Sequence, residues 1–387
     1  MDPTVQAIAY INGRVLVDGR FRDDLSVLSQ HGQISCVQPA TEEIAARTVV
    51  IDLGGDYLVP GFIDTQVNGG GGVLFNDLPT VDGIRTIAEA HRPFGTTGLL
   101  PTLISDELDV IRQGLEAAEQ AIGMDIPGVL GIHIEGPFLN EQRRGVHDAR
   151  KLRQLTREIV DELEPLRNGK TLLTLAPETI HPDLVTELTR KGFIVCGGHS
   201  NASQEQVKQA LEHGMRGFTH LFNAMSQLTA REPGVVGEAL ADPGSWCGII
   251  ADGHHVSPTA MEIARRCKGS GRLMLVSDAM PPVGSQDTEF YLMGKRVTVQ
   301  DGICVDADGT LAGTALDMAS AVRNMVRLTR CSFAEACAMA SETPAAFLGL
   351  ENEMGSIRAG HRADLVIMDS SYRVRSTIIG GRPDQQV

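Results

Sequence analysis

The 387-residue chain has no CxxC pair, no apolar run long enough to span a bilayer, no excess of basic residues and no phosphate-binding glycine motif. Each absence removes a class of function. The seven cysteines, at 36, 196, 247, 267, 304, 331 and 337, are odd in number and scattered, which points to reduced thiols in a cytosolic protein. Cys196 and Cys247 read as core. A net charge of -15 and a pI near 5.2 argue against nucleic acid or an anionic membrane as the main partner, while leaving room for a local basic pocket that takes a small phosphorylated molecule. The first residues, MDPTVQAIAYINGRVLVDG, lack a basic start and a signal-type apolar segment, so the expected location is the cytoplasm. The NGGGG run from Asn68 to Gly72 lacks both the GxGxxG order and the P-loop lysine, and reads as a flexible loop beside an active site.

What the chain does have is length and a repeating pattern. It is long enough for a barrel of about 250 residues and a small accessory domain. Residues 5–57 and 355–381 are short β-rich runs broken by Gly, Asp and Pro, apart from a weak helical stretch at Glu42 to Arg47. They suggest one discontinuous β-sandwich domain, residues 1–57 and 355–387, flanking a barrel at 58–354. Within the barrel, apolar runs starting at Leu58, Gly95, Val129, Thr171, Phe193, Gly217, Gly248 and Leu273 alternate with amphipathic helices. Those helices are expected at Asp106 to Ile122, Thr156 to Arg167, Pro182 to Lys191, Ser203 to His213 and Ser257 to Lys268, several opening at a Ser or Thr cap and stopping before Gly. Eight βα units imply an α/β fold, the (β/α)8 or TIM barrel, whose functional groups lie at the C-terminal strand ends. Two more helices, Ala315 to Thr329 and Phe333 to Leu348, carry Met and Leu at helical spacing and read as packing.

The strand ends carry the chemistry. GIHIEGPFLN, residues 131–140, sets Glu135 after an apolar run and before the helix breakers Gly136 and Pro137. His199, His220, His254 with His255, and Asp278 follow later strands. A carboxylate and two imidazoles at one mouth suit a borderline divalent ion with a position left open for water. Asp278 then reads as a further ligand or as a general base. His133, two residues before Glu135 on the same strand face, is either a group behind the ligands or a satisfied core histidine. His254 should point away from His255, and His31, His91, His181, His213 and His361 are expected at the surface or as caps.

PGFIDTQVNGGGG, HIEGPFLN, GGHSNAS, THLFNAM with the following REPG, ADGHHV, VSDA, TLAGT and GSIRAGHRADLVIMD together resemble the N-acetylglucosamine-6-phosphate deacetylases of the amidohydrolase superfamily, over nearly the whole chain. The resemblance implies that Glu135, His199 and His220 hold the metal and that Asp278 is the acid and base. It further implies that His147 in RRGVHDA approaches the acetamido carbonyl. It places Val146, His147, Asn223, Ala224, Asp252, His255, Leu311, Ala312 and Gly313 against the sugar phosphate, and has Arg231 reach the phosphate of a neighbouring subunit's ligand, so that a homodimer is required. The implied reaction frees acetate and D-glucosamine 6-phosphate, with water activated by one divalent ion per subunit. Zinc is the expected ion, with Fe2+, Co2+ and Mn2+ as alternatives.

Two features depart from the wider superfamily. Where many members carry HxH for a second metal this chain has Gln66 and Asn68, and neutral amides are poor zinc ligands, so that position should be vacant. After Asp278 the chain makes an excursion, read as a β-hairpin from Phe290 to Asp308 that would close over the pocket. The alternatives weighed are a deacetylase of N-acetylgalactosamine 6-phosphate, a cyclic amidohydrolase, against which the missing HxH counts, and a non-catalytic scaffold, against which the gathered ligands count.

Overall fold

The computed structural model describes residues 7–300 and 302–384; residues 1–6 and 385–387 of the expected small domain, and Asp301 of the excursion, lie outside the described residues. All eight apolar runs contribute a strand to one parallel sheet in sequence order: β1 (Phe62–Val67), β2 (Thr96–Ile104), β3 (Gly131–Glu135), β4 (Lys170–Leu175), β5 (Ile194–Gly197), β6 (Gly217–Phe218), β7 (Trp246–Ile250) and β8 (Leu273–Val276). The sheet closes on itself where the Asp278 N–H donates to the Gln66 carbonyl at 3.0 Å and the Asn68 N–H to that of Ala279 at 2.9 Å. β1, β2 and β3 are buried at every residue, covered by the barrel interior on one face and by helices on the other, which is why their sequences show no alternation of apolar and solvent-facing polar residues.

The helices begin at the expected caps. Ser203 and Gln206 form a reciprocal capping box, Ser257 accepts from the Ala260 N–H, and Thr156 accepts from that of Ile159. Three expected helices change. The one after Thr156 spans only Arg157–Glu162, because Pro165 bars its extension. Phe333 to Leu348 is two helices, Phe333–Ala340 and Glu342–Leu348, since Pro344 lacks a donor and its ring would strike the carbonyl of Ala340 in a continuous helix. Glu42 to Arg47 forms none.

The terminal segments meet in a small β domain of two sheets. One pairs Gln33–Pro39, Leu25–Gln30, Ile8–Ile11 and Val49–Asp52; the other runs Arg382–Pro383, Val374–Ile379, Leu365–Met368, Tyr57–Pro60, Arg14–Val17, Arg20–Arg22. Tyr10, Val15, Val27, Leu58, Leu365 and Ile378 fill the space between them. The run from Leu58, read as one barrel strand, is thus two. Its first half belongs to the small sheet, and Pro60-Gly61 turns the chain into β1 at a point so close to Thr97 that a Cβ on Gly61 would lie 2.0 Å from its Oγ1.

The excursion after β8 is a meander of four antiparallel strands, Glu289–Leu292, Lys295–Gln300, Ile303–Asp306 and Leu311–Thr314, where a hairpin was expected. Its last strand returns to the barrel mouth, the Thr314 N–H donating to the Asp278 carbonyl at 3.0 Å. No helix among the described residues is long and apolar enough to cross a membrane. All seven cysteines are free, with Cys196 and Cys247 buried.

Candidate active site

Glu135 ends β3, while His199 and His220 follow β5 and β6, so three strand ends deliver them to one point. The two Nε2 atoms lie 3.0 Å apart, and 3.2 and 2.9 Å from Oε1 of Glu135. All three side chains are buried. Among the described residues no other group of His, Cys, Asp and Glu converges in this way. His199 donates Nδ1–H to the Arg143 carbonyl at 2.9 Å, which leaves its Nε2 as a lone pair facing Glu135. One carboxylate oxygen and two imidazole nitrogens at these separations cannot all satisfy one another, and they are the donor set that a divalent cation takes. Burial alone would raise the carboxyl of Glu135, yet the two imidazoles packed against it hold it well below the usual carboxylate range. Burial pushes His220 down, but Glu135 and the charge of Asp278 together leave it raised.

The backbone is strained where these groups turn inward. His199, His220 and Asp278 have φ of 48°, 32° and 52°, and Ala224 in the same mouth has 52°. Non-glycine residues hold this left-handed region at a cost, of order 1–3 kcal/mol each, only where surrounding structure enforces it.

Asp278 lies beside the cluster. Burial, then the charge of Glu135, raises its carboxyl to about 6. Its Oδ1 accepts from Gln66 Nε2 at 3.1 Å and from Asn68 Nδ2 at 2.6 Å. Across the site, His147 is buried with its Nδ1 2.7 Å from Ser105 Oγ and 3.2 Å from the Ser105 N–H. Burial, then the charge on His199, pushes His147 down to about 3, so its ring is neutral at ordinary pH.

These groups line a cavity of about 240 Å³ together with Asn68, Val146, Asn223, Ala224, His255, Leu311 and Gly313. Of the other positions expected against substrate, Asp252 stands behind His255, its Oδ2 2.6 Å from Nδ1, and Ala312 is buried behind the cavity wall. Arg231 is exposed and lies off this cavity, and no Lys or Arg lines it among the described residues. His133 sits in the barrel interior with Nε2 2.8 Å from Thr174 Oγ1 and Nδ1 without a hydrogen-bond partner, and burial lowers it to about 4. His91 and His361, expected at the surface or as caps, are also buried. His91 bonds the Gly69 carbonyl at 2.9 Å and His361 bonds Ser356 Oγ.

Sequence reasoning missed two residues. Ser105, after β2, holds His147, and Gly136 has no room for a side chain because a Cβ there would lie 2.3 Å from Ser105 Oγ. Glu178, after β4, ties three loops together through Asn140 Nδ2, Ser200 Oγ and the Asn201 N–H. Their position after a barrel strand was the available signal. A larger groove of about 800 Å³ lies at the opposite, N-terminal end of the strands, lined by Ile126, Pro127, Gly128, Ile379 and neighbours, without a converging set of ligands.

The profile of the Amidohydrolase family matches residues 57–383. The N-acetylgalactosamine-6-phosphate deacetylase of Shewanella sp. (strain ANA-3) is 42% identical over 386 residues, 98% of this chain and 97% of that protein. The N-acetylglucosamine-6-phosphate deacetylase of Haemophilus influenzae is 34% identical, over 93% of this chain and 94% of that protein. Among solved structures, N-acetylglucosamine-6-phosphate deacetylase from Pasteurella multocida superposes with a TM-score of 0.93 at 31% identity, covering 98% of this chain and all of that one.

Proposed function

The chain belongs to the amidohydrolase family, and we propose that it hydrolyses the acetamide of N-acetyl-D-glucosamine 6-phosphate to D-glucosamine 6-phosphate and acetate. The observation that carries this reading is the convergence of Glu135, His199 and His220 at a strand-end mouth that also holds Asp278 and His147. A second reading, with N-acetylgalactosamine 6-phosphate as substrate, is favoured by the 42% identity to a relative of that name.

Glu135, His199 and His220 would hold one divalent ion, zinc by the character of the donor set, which supplies Lewis acidity and lowers the pKa of water. Asp278 takes the proton of the attacking water and returns it to the amide nitrogen, which must be protonated before the C–N bond breaks. His147, its Nδ1 occupied by the Ser105 N–H, carries its proton on Nε2 and donates it in a hydrogen bond to the carbonyl oxygen as charge develops there. Asn223, Ala224 and His255, with Val146, Leu311 and Gly313, enclose the sugar phosphate. A cavity without Lys or Arg leaves the phosphate short of a cation, which supports a homodimer in which Arg231 enters the neighbouring site. Free thiols and a phosphorylated substrate fit the cytoplasm.

The test is acetate release from each epimer by metal-stripped protein, with and without zinc, iron(II), cobalt or manganese, alongside metal content per chain. Ion-dependent release at one ion per chain is expected. No release from either sugar phosphate under any ion overturns the assignment.

A further inference from the structure

A neutral amide stands between the two carboxylates of the site. Gln66 Nε2 lies 3.1 and 3.2 Å from the two oxygens of Glu135 and 3.1 Å from Oδ1 of Asp278. Asn68 Nδ2 lies 2.6 Å from the same Oδ1. Ionised carboxylates only accept, so both amides must turn nitrogen toward them, since a flipped amide would set oxygen against oxygen. The two hydrogens of Gln66 Nε2 then go one to each carboxylate. Both amide residues are buried, at 1% and 0% exposure. The main chain fixes the same junction, with the Asp278 N–H donating to the Gln66 carbonyl at 3.0 Å.

Two carboxylates this close repel, and need positive charge or donors between them. The amide hydrogens provide the donors. They also distinguish the two oxygens of Asp278: Oδ1 receives two N–H groups, whereas Oδ2 accepts no hydrogen bond among the described residues and is left to the cavity.

Resting on the function proposed above, we infer that Gln66 and Asn68 are positioning residues for the general base: they clamp Oδ1 of Asp278 to Glu135 and so present Oδ2 to the attacking water. The pair thus has a task of its own beyond leaving a second metal position empty.

The test uses full-length, zinc-loaded protein carrying Gln66→Met, which keeps length and removes the donor, or Asn68→Ala, which trims one side chain. Each is made alone and in an Asp278→Asn background. Metal per chain, thermal unfolding, kcat and KM are measured for all. In the otherwise native background each change should lower kcat about tenfold to a hundredfold, with KM and metal content held within about twofold. In the Asp278→Asn background neither should lower the residual rate further, which a merely structural role would not produce. The inference is overturned by native kcat in both variants, by a loss that tracks loss of metal, or by equal losses with and without Asp278. Asn68→Ala carries the test if Gln66→Met does not fold. A native enzyme inactive on both sugar phosphates would instead overturn the function, so the two failures are told apart.

Discussion

Ser105 donates its backbone N–H to Nδ1 of His147, and this fixes the proton of that neutral ring on the opposite nitrogen. Removing the ring by His147→Ala should lower kcat by about 10²–10³, the scale of one lost oxyanion donor. Ser105→Ala retains the N–H and should leave kcat within a few-fold. Because burial holds His147 at about 3, its charge state is constant above pH 5, and steady-state profiles of the two variants should show no shifted limb between pH 5 and 9. A shifted limb would remove the neutral-donor role.

As the proposed general base, Asp278 should work only when ionised. Its carboxyl is raised to about 6, by burial and then by Glu135, so it is protonated below that value and charged above it. A bound divalent cation moves the same group downward. kcat/KM should therefore climb with pH along an acid limb at or below about pH 6 and level off above it. Asp278→Asn should lower kcat by about 10²–10⁴ and abolish the limb. A limb centred above pH 7 would assign the base to another group.

Asp64 lies inside the barrel with Oδ1 accepting from the Gln66 and Ser277 N–H groups, each at 3.2 Å, and Oδ2 without a partner. Burial raises it to about 7. A carboxyl raised in the fold contributes stability that is fully present below its unfolded value of about 3.9 and is lost as pH rises through the folded one. Relative to Asp64→Asn, the native chain should lose up to about 4 kcal/mol between pH 4 and 7 and nothing more above it. Urea midpoints of both proteins across that window measure this, and a constant difference would refute it.

Arg231 should act across a dimer. Arg231→Ala alone should raise KM for the phosphorylated substrate at least tenfold and leave its dephosphorylated analogue unaffected. Mixing and reassembling Arg231→Ala with Asp278→Asn chains should then restore native KM at the one intact site of each mixed dimer. Mixtures no better than the sum of their parents would place Arg231 in its own subunit's site, or outside the reaction.

Glu135 and His199 were legible because each stands where an apolar run meets Gly or a polar turn, a pattern that survives without coordinates. HIEGP and GGHS show it plainly. Ser105 was hidden because its contribution is a main-chain N–H, which every residue but proline carries. The φ of 48° at His199 was invisible for a similar reason, since residue identity favours the opposite region. His91 and His361 were misplaced because a position at a helix end or in a turn says nothing about which distant segment lies over it; the Gly69 carbonyl lies over His91. The Leu58 run was read as one strand because apolar residues continue past Pro60-Gly61 into Phe62 and Ile63, although its two halves pair with different sheets.

Tyr57–Pro60 lies between Arg14–Val17 and Leu365–Met368, and the latter strand is encoded about 300 residues later. At synthesis rates of about 5–20 residues per second, the edge it will cover stays bare for roughly 15–60 s after Pro60 leaves the ribosome. Through that interval the growing chain exposes an apolar strand with unpaired amides, open to any other nascent copy. The barrel can be completed in that time, yet the strand that leads into it is sealed only once Leu365–Met368 has been made. Early termination therefore leaves the finished part of the molecule with a permanent adhesive edge, which makes a truncated product a target for holding chaperones and proteases.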